Sequence, residues 1–112
     1  MANKKVLIVD DEIHIVHVVA IKLRNNGYDV VSAENGAQAL KMVQEEKPDI
    51  VVTDYQMPIM NGVEFIEKLR QDKATENLPV ILLTARGFAI SDEQKERLRV
   101  SAFLSKPFKL LC

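Results

Sequence analysis

The sequence predicts an α/β domain with a parallel sheet, on three observations. Short apolar runs alternate with stretches of helical period along the chain. The runs at 6–9, 50–53, 80–83 and 102–105 carry few polar residues, the pattern of strands buried on both faces. Each run then ends on a polar group: Asp10 and Asp11, Asp54, Thr84, and Lys106. Strands paired in one parallel sheet bring these ends to one edge, where open α/β sheets bind ligands.

The first strand spans 5–10, and a helix over about 12–25 follows it. Asn26-Gly27 is a C-cap signal, since glycine accepts the left-handed conformation that ends a helix. Ile13, Ile15, Val16, Val18, Val19 and Ile21 are β-branched and oppose helix by propensity. The length of the segment and the aspartates before it favour helix. On a helical wheel Ile15, Val16, Val19 and Leu23 share one face, and His14, His17, Val18 and Ile21 the opposite one. That outer stripe reads either as a docking surface or as ordinary scattered apolar exposure. The histidine pair has no carboxylate support and reads as solvated side chains rather than metal ligands.

Strand two falls at 28–33, and helix two at 36–46 has Ala37, Leu40 and Val43 in helical spacing. Pro48 punctuates before strand three at 49–54. A loop over 55–62 holds Pro58 and the turn pair Asn61-Gly62. Helix three, 63–71, sets Phe65, Ile66 and Leu69 on one face, and Pro79 opens strand four, which runs through Thr84. A charged helix near 91–98 and a fifth strand near 101–105 finish the pattern.

With 112 residues, 47% of them hydrophobic and 28% charged, the chain reads as one domain over 1–112 with a real core. Lys and Arg number 15 against 16 Asp and Glu, so there is no basic footprint for nucleic acid. The single cysteine, Cys112, cannot form an intrachain disulfide and suits a reducing cytoplasm. No apolar stretch is long enough to span a bilayer, and the apolar run after the N-terminal lysines is too short for a signal sequence.

Taken singly, each polar strand end has an ordinary explanation: a helix cap for Asp10-Asp11, a turn for Asp54, a strand residue for Thr84, a solvated charge for Lys106. Together they make a chemical set. Three close carboxylates repel unless a cation neutralises them. Mg²⁺ is a hard cation that takes oxygen ligands and keeps several waters, leaving room for a phosphoryl oxygen. The ion would screen and orient that group for in-line attack by Asp54. Lys106 offers a fixed positive charge and Thr84 a hydroxyl donor, with small Ala85 beside it.

The ordered motifs are Val-Asp-Asp at 9–11, Thr-Asp-Tyr-Gln-Met-Pro at 53–58 with Met60-Asn61-Gly62, Leu-Thr-Ala at 83–85, and Lys106-Pro107-Phe108. As a set they resemble the receiver domain of two-component response regulators, from Lys5 to about Phe108. The resemblance implies a flavodoxin-like, doubly wound five-stranded sheet of order 2-1-3-4-5, an order for which a chemotaxis receiver is a standard example. It implies a signalling switch rather than an enzyme with an external substrate. Asp54 would be the phosphoacceptor, and Asp10, Asp11, Asp54 and the Gln56 carbonyl the Mg²⁺ site. Thr84 and Lys106 would sense the phosphoryl group, with the Lys106-Pro107 bond cis. Phe103 would be the aromatic that turns inward when Thr84 moves. Gln56 and Arg86, each two residues after its site residue, would flank the water path and tune the phosphoryl lifetime. The implied partners are a histidine kinase or histidine phosphotransfer domain, and a downstream protein that the sequence does not identify.

The sequence departs from the family's pattern in three places. Phe103 has no hydroxyl, so its switch would be steric. Arg99 stands where many receivers have a glycine suited to a left-handed cap. After Pro107 only 108–112 remain, about one helical turn, so the family's fifth helix is expected to be largely missing. Self-association through the side lacking that helix is the expected consequence.

Two other readings stand beside the switch. A metal-dependent phosphatase of the haloacid dehalogenase type would need a second aspartate where Gln56 lies. A receiver-like scaffold that is never phosphorylated fits poorly with a full acceptor set.

Overall fold

The apolar runs pair as strands because their branched side chains fill both faces of a sheet that helices cover. The computed structural model describes residues 4–55, 59–84, 93, 96, 98–100 and 102–105, with the backbone alone at 84 and 102–105. Five parallel strands, β1 (Lys5–Val9), β2 (Asp29–Ala33), β3 (Ile50–Asp54), β4 (Val80–Thr84) and β5 (Ala102–Ser105), lie in the order β2-β1-β3-β4-β5. Between them run α1 (Ile13–Asn25), α2 (Gly36–Glu46) and α3 (Gly62–Gln71). This is the doubly wound order expected from the sequence, with element bounds within a residue or two.

Side chains alternate across the sheet, so β1, β2 and β3 each feed two cores. Leu7 and Val9 of β1 are buried with Val51, Val80 and Leu82 under Ala39, Val43, Phe65, Ile66 and Leu69 of α2 and α3. Val6 and Ile8 face the other way, against Ala20 with Val16, Val19 and Leu23 of α1. The helical face assigned inward is thus the packed one, while Ile13, Val18 and Ile21 are exposed. Burial on this face decides the helix against the β-branched propensity, as tertiary packing commonly does.

Local signals fix the helix ends. Gly27 lies at φ 89°, and the Tyr28 N–H donates to Leu23 O at 3.1 Å, closing α1 in a left-handed turn. Asn35 Oδ1 accepts from the Gln38 N–H at 2.8 Å. Asn61 and Glu64 cap each other's backbone N–H at 2.9 and 3.2 Å, a capping box that starts α3 at Gly62 rather than one residue later.

Arg70, at the end of α3, joins segments distant in sequence. Its guanidinium donates to the carbonyls of Leu98 (2.7 Å), Leu78 (2.8 Å), Glu76 (3.1 Å), Thr75 (3.2 Å) and Arg99 (3.2 Å). Burial, and then the neighbouring Arg99 charge, hold this guanidinium below its ordinary pKa. Glu93, Glu96 and Leu98 are helical, and Arg99 follows at φ 51°, the left-handed conformation its missing glycine would favour. Arg99→Gly should therefore stabilise the chain by about 1 kcal/mol, since it removes both the left-handed penalty and a like charge beside Arg70. An unchanged or lower urea midpoint would contradict this account.

The rest of the charged helix near 91–98 and the segment after Ser105 lie outside the described residues. So do the expected shortfall of a fifth helix and the self-association built on it. Among the described residues no helix is long and apolar enough to cross a membrane.

Candidate functional site

Register brings the polar strand ends together. Val9 pairs with Thr53, so Asp10 and Asp54 are the next residues out on adjacent strands. Asp54 pairs with Leu83, and Thr84 pairs with Ser105, directly before Lys106. Asp10, Asp54 and Thr84 therefore share the carboxyl edge of the three central strands, as the sequence predicts.

The loop after β3 is folded tightly over this edge. The Tyr55 N–H donates to Leu83 O at 2.8 Å, and the Gly62 N–H returns to Tyr55 O at 2.8 Å. A Cβ on Gly62 would overlap the carbonyl oxygen of Asp54, so only glycine fits there. The Gly36 N–H holds the far side of the loop through Met60 O at 3.1 Å. Ile59 sits in the same loop at φ 70° and 82% exposed, a strained conformation for a β-branched residue. Sequence reasoning passed over it, although an apolar β-branched residue between Pro58 and the turn pair was a visible signal.

Asp10 and Asp54 are buried, at 1% and 6% exposure, and Asp11 is exposed on the bend after β1. One carboxylate oxygen each from Asp10, Glu12 and Asp54 lies within 4.8 Å of the other two. The residue that joins the two predicted aspartates is thus Glu12; the carboxylate of Asp11 is not in this group. Asp10 Oδ1 accepts from the Glu12 N–H at 2.9 Å, which turns the chain back toward the sheet edge. Glu12 is the N-cap residue of α1, yet its side chain accepts no hydrogen bond from the helix. The run Asp-Asp-Glu was the available signal for this third carboxylate, and reading Glu12 as simply the helix start hid it.

Three hard oxygen donors at this spacing suit a divalent cation such as Mg²⁺, which also keeps water ligands. Like charges so close are stabilised when a cation enters. His14 and His17 are exposed and belong to no such group. Gln56, Arg86 and Lys106 with its Pro107 bond lie outside the described residues. Thr84 and Phe103 are placed by backbone alone, Phe103 opposite Leu82.

Comparison with known proteins points the same way. The family description "response regulator receiver domain" matches residues 6–111. The alkaline phosphatase synthesis transcriptional regulatory protein PhoP of Bacillus subtilis is 39% identical over 95% of this chain; the chain spans 43% of that protein's length. Sporulation initiation phosphotransferase F of the same organism is 34% identical over 98% of this chain and 87% of its own. The response regulator TrrA of Thermotoga maritima, solved in complex with Mg²⁺ and BeF, superposes with a TM-score of 0.83 at 33% identity, covering 96% of this chain and 90% of that one.

Proposed function

Since this chain belongs to the response regulator receiver family, we propose that Asp54 is its phosphoacceptor and that Asp10, Asp11, Glu12, Asp54 and the Gln56 carbonyl supply the oxygen atoms around a Mg²⁺ ion. The observation that carries this reading is the meeting of buried Asp10 and Asp54 with Glu12 at one sheet edge. An Asp54 carboxylate oxygen attacks the donor phosphorus in line. The P–N bond of a phosphohistidine breaks, its electron pair stays on the imidazole nitrogen, and that nitrogen is protonated. Bound Mg²⁺ would neutralise charge between carboxylates and phosphoryl oxygens. The edge of the sheet holds the nucleophile, and the Gly62 turn fixes its backbone. Thr84 and Lys106 then donate to the remaining phosphoryl oxygens, and Phe103 moves with Thr84. Gln56 and Arg86 set water access and hence the lifetime of the adduct.

The phosphodonor is a histidine kinase or a histidine phosphotransfer protein, and the location is the cytoplasm, where such donors are charged from ATP. The chain catalyses only its own phosphorylation and dephosphorylation. The relative named as a phosphotransferase favours a place as a relay intermediate, and the relative named as a transcriptional regulator favours control of a linked output domain.

The test is incubation with acetyl phosphate, with and without Mg²⁺. A Mg²⁺-dependent, acid-labile adduct supports the switch; steady release of phosphate without an adduct supports the phosphatase; neither leaves a scaffold. Mg²⁺ affinity should also fall as pH drops, because ligation needs deprotonated carboxylates. Calorimetric titration giving the same affinity at pH 7 and at about pH 4, near the ordinary carboxylate pKa, would count against carboxylate ligation.

A further inference from the structure

We propose that the cleft between the C-terminal ends of α2 and α3 binds a small zwitterion, an α-amino acid with an apolar side chain. The cleft holds about 450 Å³, within the range of small-molecule sites. It lies at the amino ends of the strands, where Pro48 leads into β3 and Leu78 toward β4, away from Asp54. The proposal therefore stands apart from the phosphoacceptor reading.

The cleft combines apolar lining with one charge of each sign. Val43, Pro48 and Leu78 supply the apolar contact, and Lys47 and Asp72 the charges. Lys47 is the C-cap residue of α2, and Asp72 that of α3, so the charges belong to different walls. Opposite charges lining one cleft can satisfy each other, yet these two are not paired. Neither makes an ion pair among the described residues. A free amino acid carries the complementary pair on one carbon: a carboxylate for Lys47 and an ammonium for Asp72. Its side chain then covers the apolar lining, which favours binding by removing that surface from water.

The walls are built before any ligand arrives. Asp72 Oδ1 accepts from the Ala74 N–H at 2.9 Å, which fixes the carboxylate and leaves Oδ2 for an ammonium. The Thr75 N–H donates to Asp72 O and the Leu78 N–H to Thr75 O, each at 3.0 Å. Arg70 holds the carbonyls of Thr75, Glu76 and Leu78 from behind. A wall tied in this way needs little further ordering on binding. On the other side, Lys47 ends α2 in the left-handed conformation at φ 48°, where glycine is favoured. Backbone strain of this kind gathers at ligand sites. Glycine would close the same turn without strain, and the cleft would lose its cation.

The probe is L-leucine, titrated into the full chain while backbone amide shifts are followed at Val43, Lys47, Asp72 and Thr75. Saturable shifts with a Kd of about 1 mM are expected for a ligand of that size in an open cleft. 4-Methylpentanoate lacks the ammonium and 3-methylbutylamine lacks the carboxylate. Each should bind roughly tenfold more weakly, the scale of one charge-assisted hydrogen bond. Lys47→Gln should lose the same factor for leucine and nothing for 3-methylbutylamine. Asp72→Asn should lose it for leucine and nothing for 4-methylpentanoate. Lys68→Gln, which removes a cation from the adjoining recess of about 210 Å³, should leave leucine binding unchanged. Shifts that are absent or never saturate overturn the proposal. So does either truncated analogue binding the parent chain as tightly as leucine, or Lys68→Gln proving as damaging as Lys47→Gln. The analogue series uses the parent chain alone, so it decides the matter even where a variant fails to fold.

Discussion

Asp54→Asn should form no acid-labile adduct with acetyl phosphate and Mg²⁺, and it should be the only acidic substitution with that outcome. An amide is nearly the same shape as the carboxylate it replaces, but its oxygen is a poor nucleophile toward phosphorus. The variant should fold, because Asp54 is crowded by other carboxylates and the substitution removes a like charge from a buried site. Asp10→Asn and Glu12→Gln leave the nucleophile in place and change only the charge around it. They should alter rate and metal affinity while an adduct still forms. Intact-mass spectrometry distinguishes the two classes directly. An adduct of one phosphoryl group on Asp54→Asn would place the acceptor elsewhere, whereas an adduct lost equally in Asp10→Asn would mean that metal ligation and nucleophile are inseparable.

The strand ends were legible in the sequence because a buried parallel strand announces itself as an apolar run, and the polar residue after it marks the edge. Register followed once the runs were taken as one sheet: Asp10 and Asp54 come level because Val9 pairs with Thr53. Helix faces were legible from spacing, and Gly27 marked the end of α1, whereas Asn61 read as a turn residue and its capping of α3 went unread. Less legible was anything that depends on how a short loop turns. Whether Asp11 or Glu12 folds back toward Asp54 is set by the Asp10–Glu12 hydrogen bond at 2.9 Å, which no periodicity predicts. The five carbonyls gathered by Arg70 come from two segments joined only in space. Ile59 and Lys47 at positive φ run against the residue types that favour that conformation, so local propensity pointed away from them.

Gly62→Ala should destabilise the chain by about 3 kcal/mol, the upper range for a group forced into a packed site. The new methyl would meet the carbonyl oxygen of Asp54, with Asp54 C and Tyr55 Cα both at 3.1 Å. All three are backbone atoms, so no flexible side-chain end can yield. The turn itself is held by the Gly62 N–H on Tyr55 O at 2.8 Å, and the capping box of Asn61 and Glu64 fixes the start of α3 one step away. Relief must therefore come from moving the end of β3, which carries the Asp54 side chain. Thermal melting should drop by about 10 °C for a domain of this size, and the yield of Asp54 adduct should drop with it even below the melting transition. Gly36→Ala is the matched comparison. Its methyl would meet Met60 O at 2.7 Å and Met60 Cβ and Cγ at 2.8 Å, of which only Cγ can rotate away, but none approaches as closely as the Asp54 oxygen does at Gly62. Its loss should be smaller, and its effect on the adduct slight, because the strain falls on the far side of the loop. If Gly62→Ala melts with the parent, or if Gly36→Ala is the more damaging of the two, the close passage of α3 over the Asp54 carbonyl is not what holds the acceptor in place.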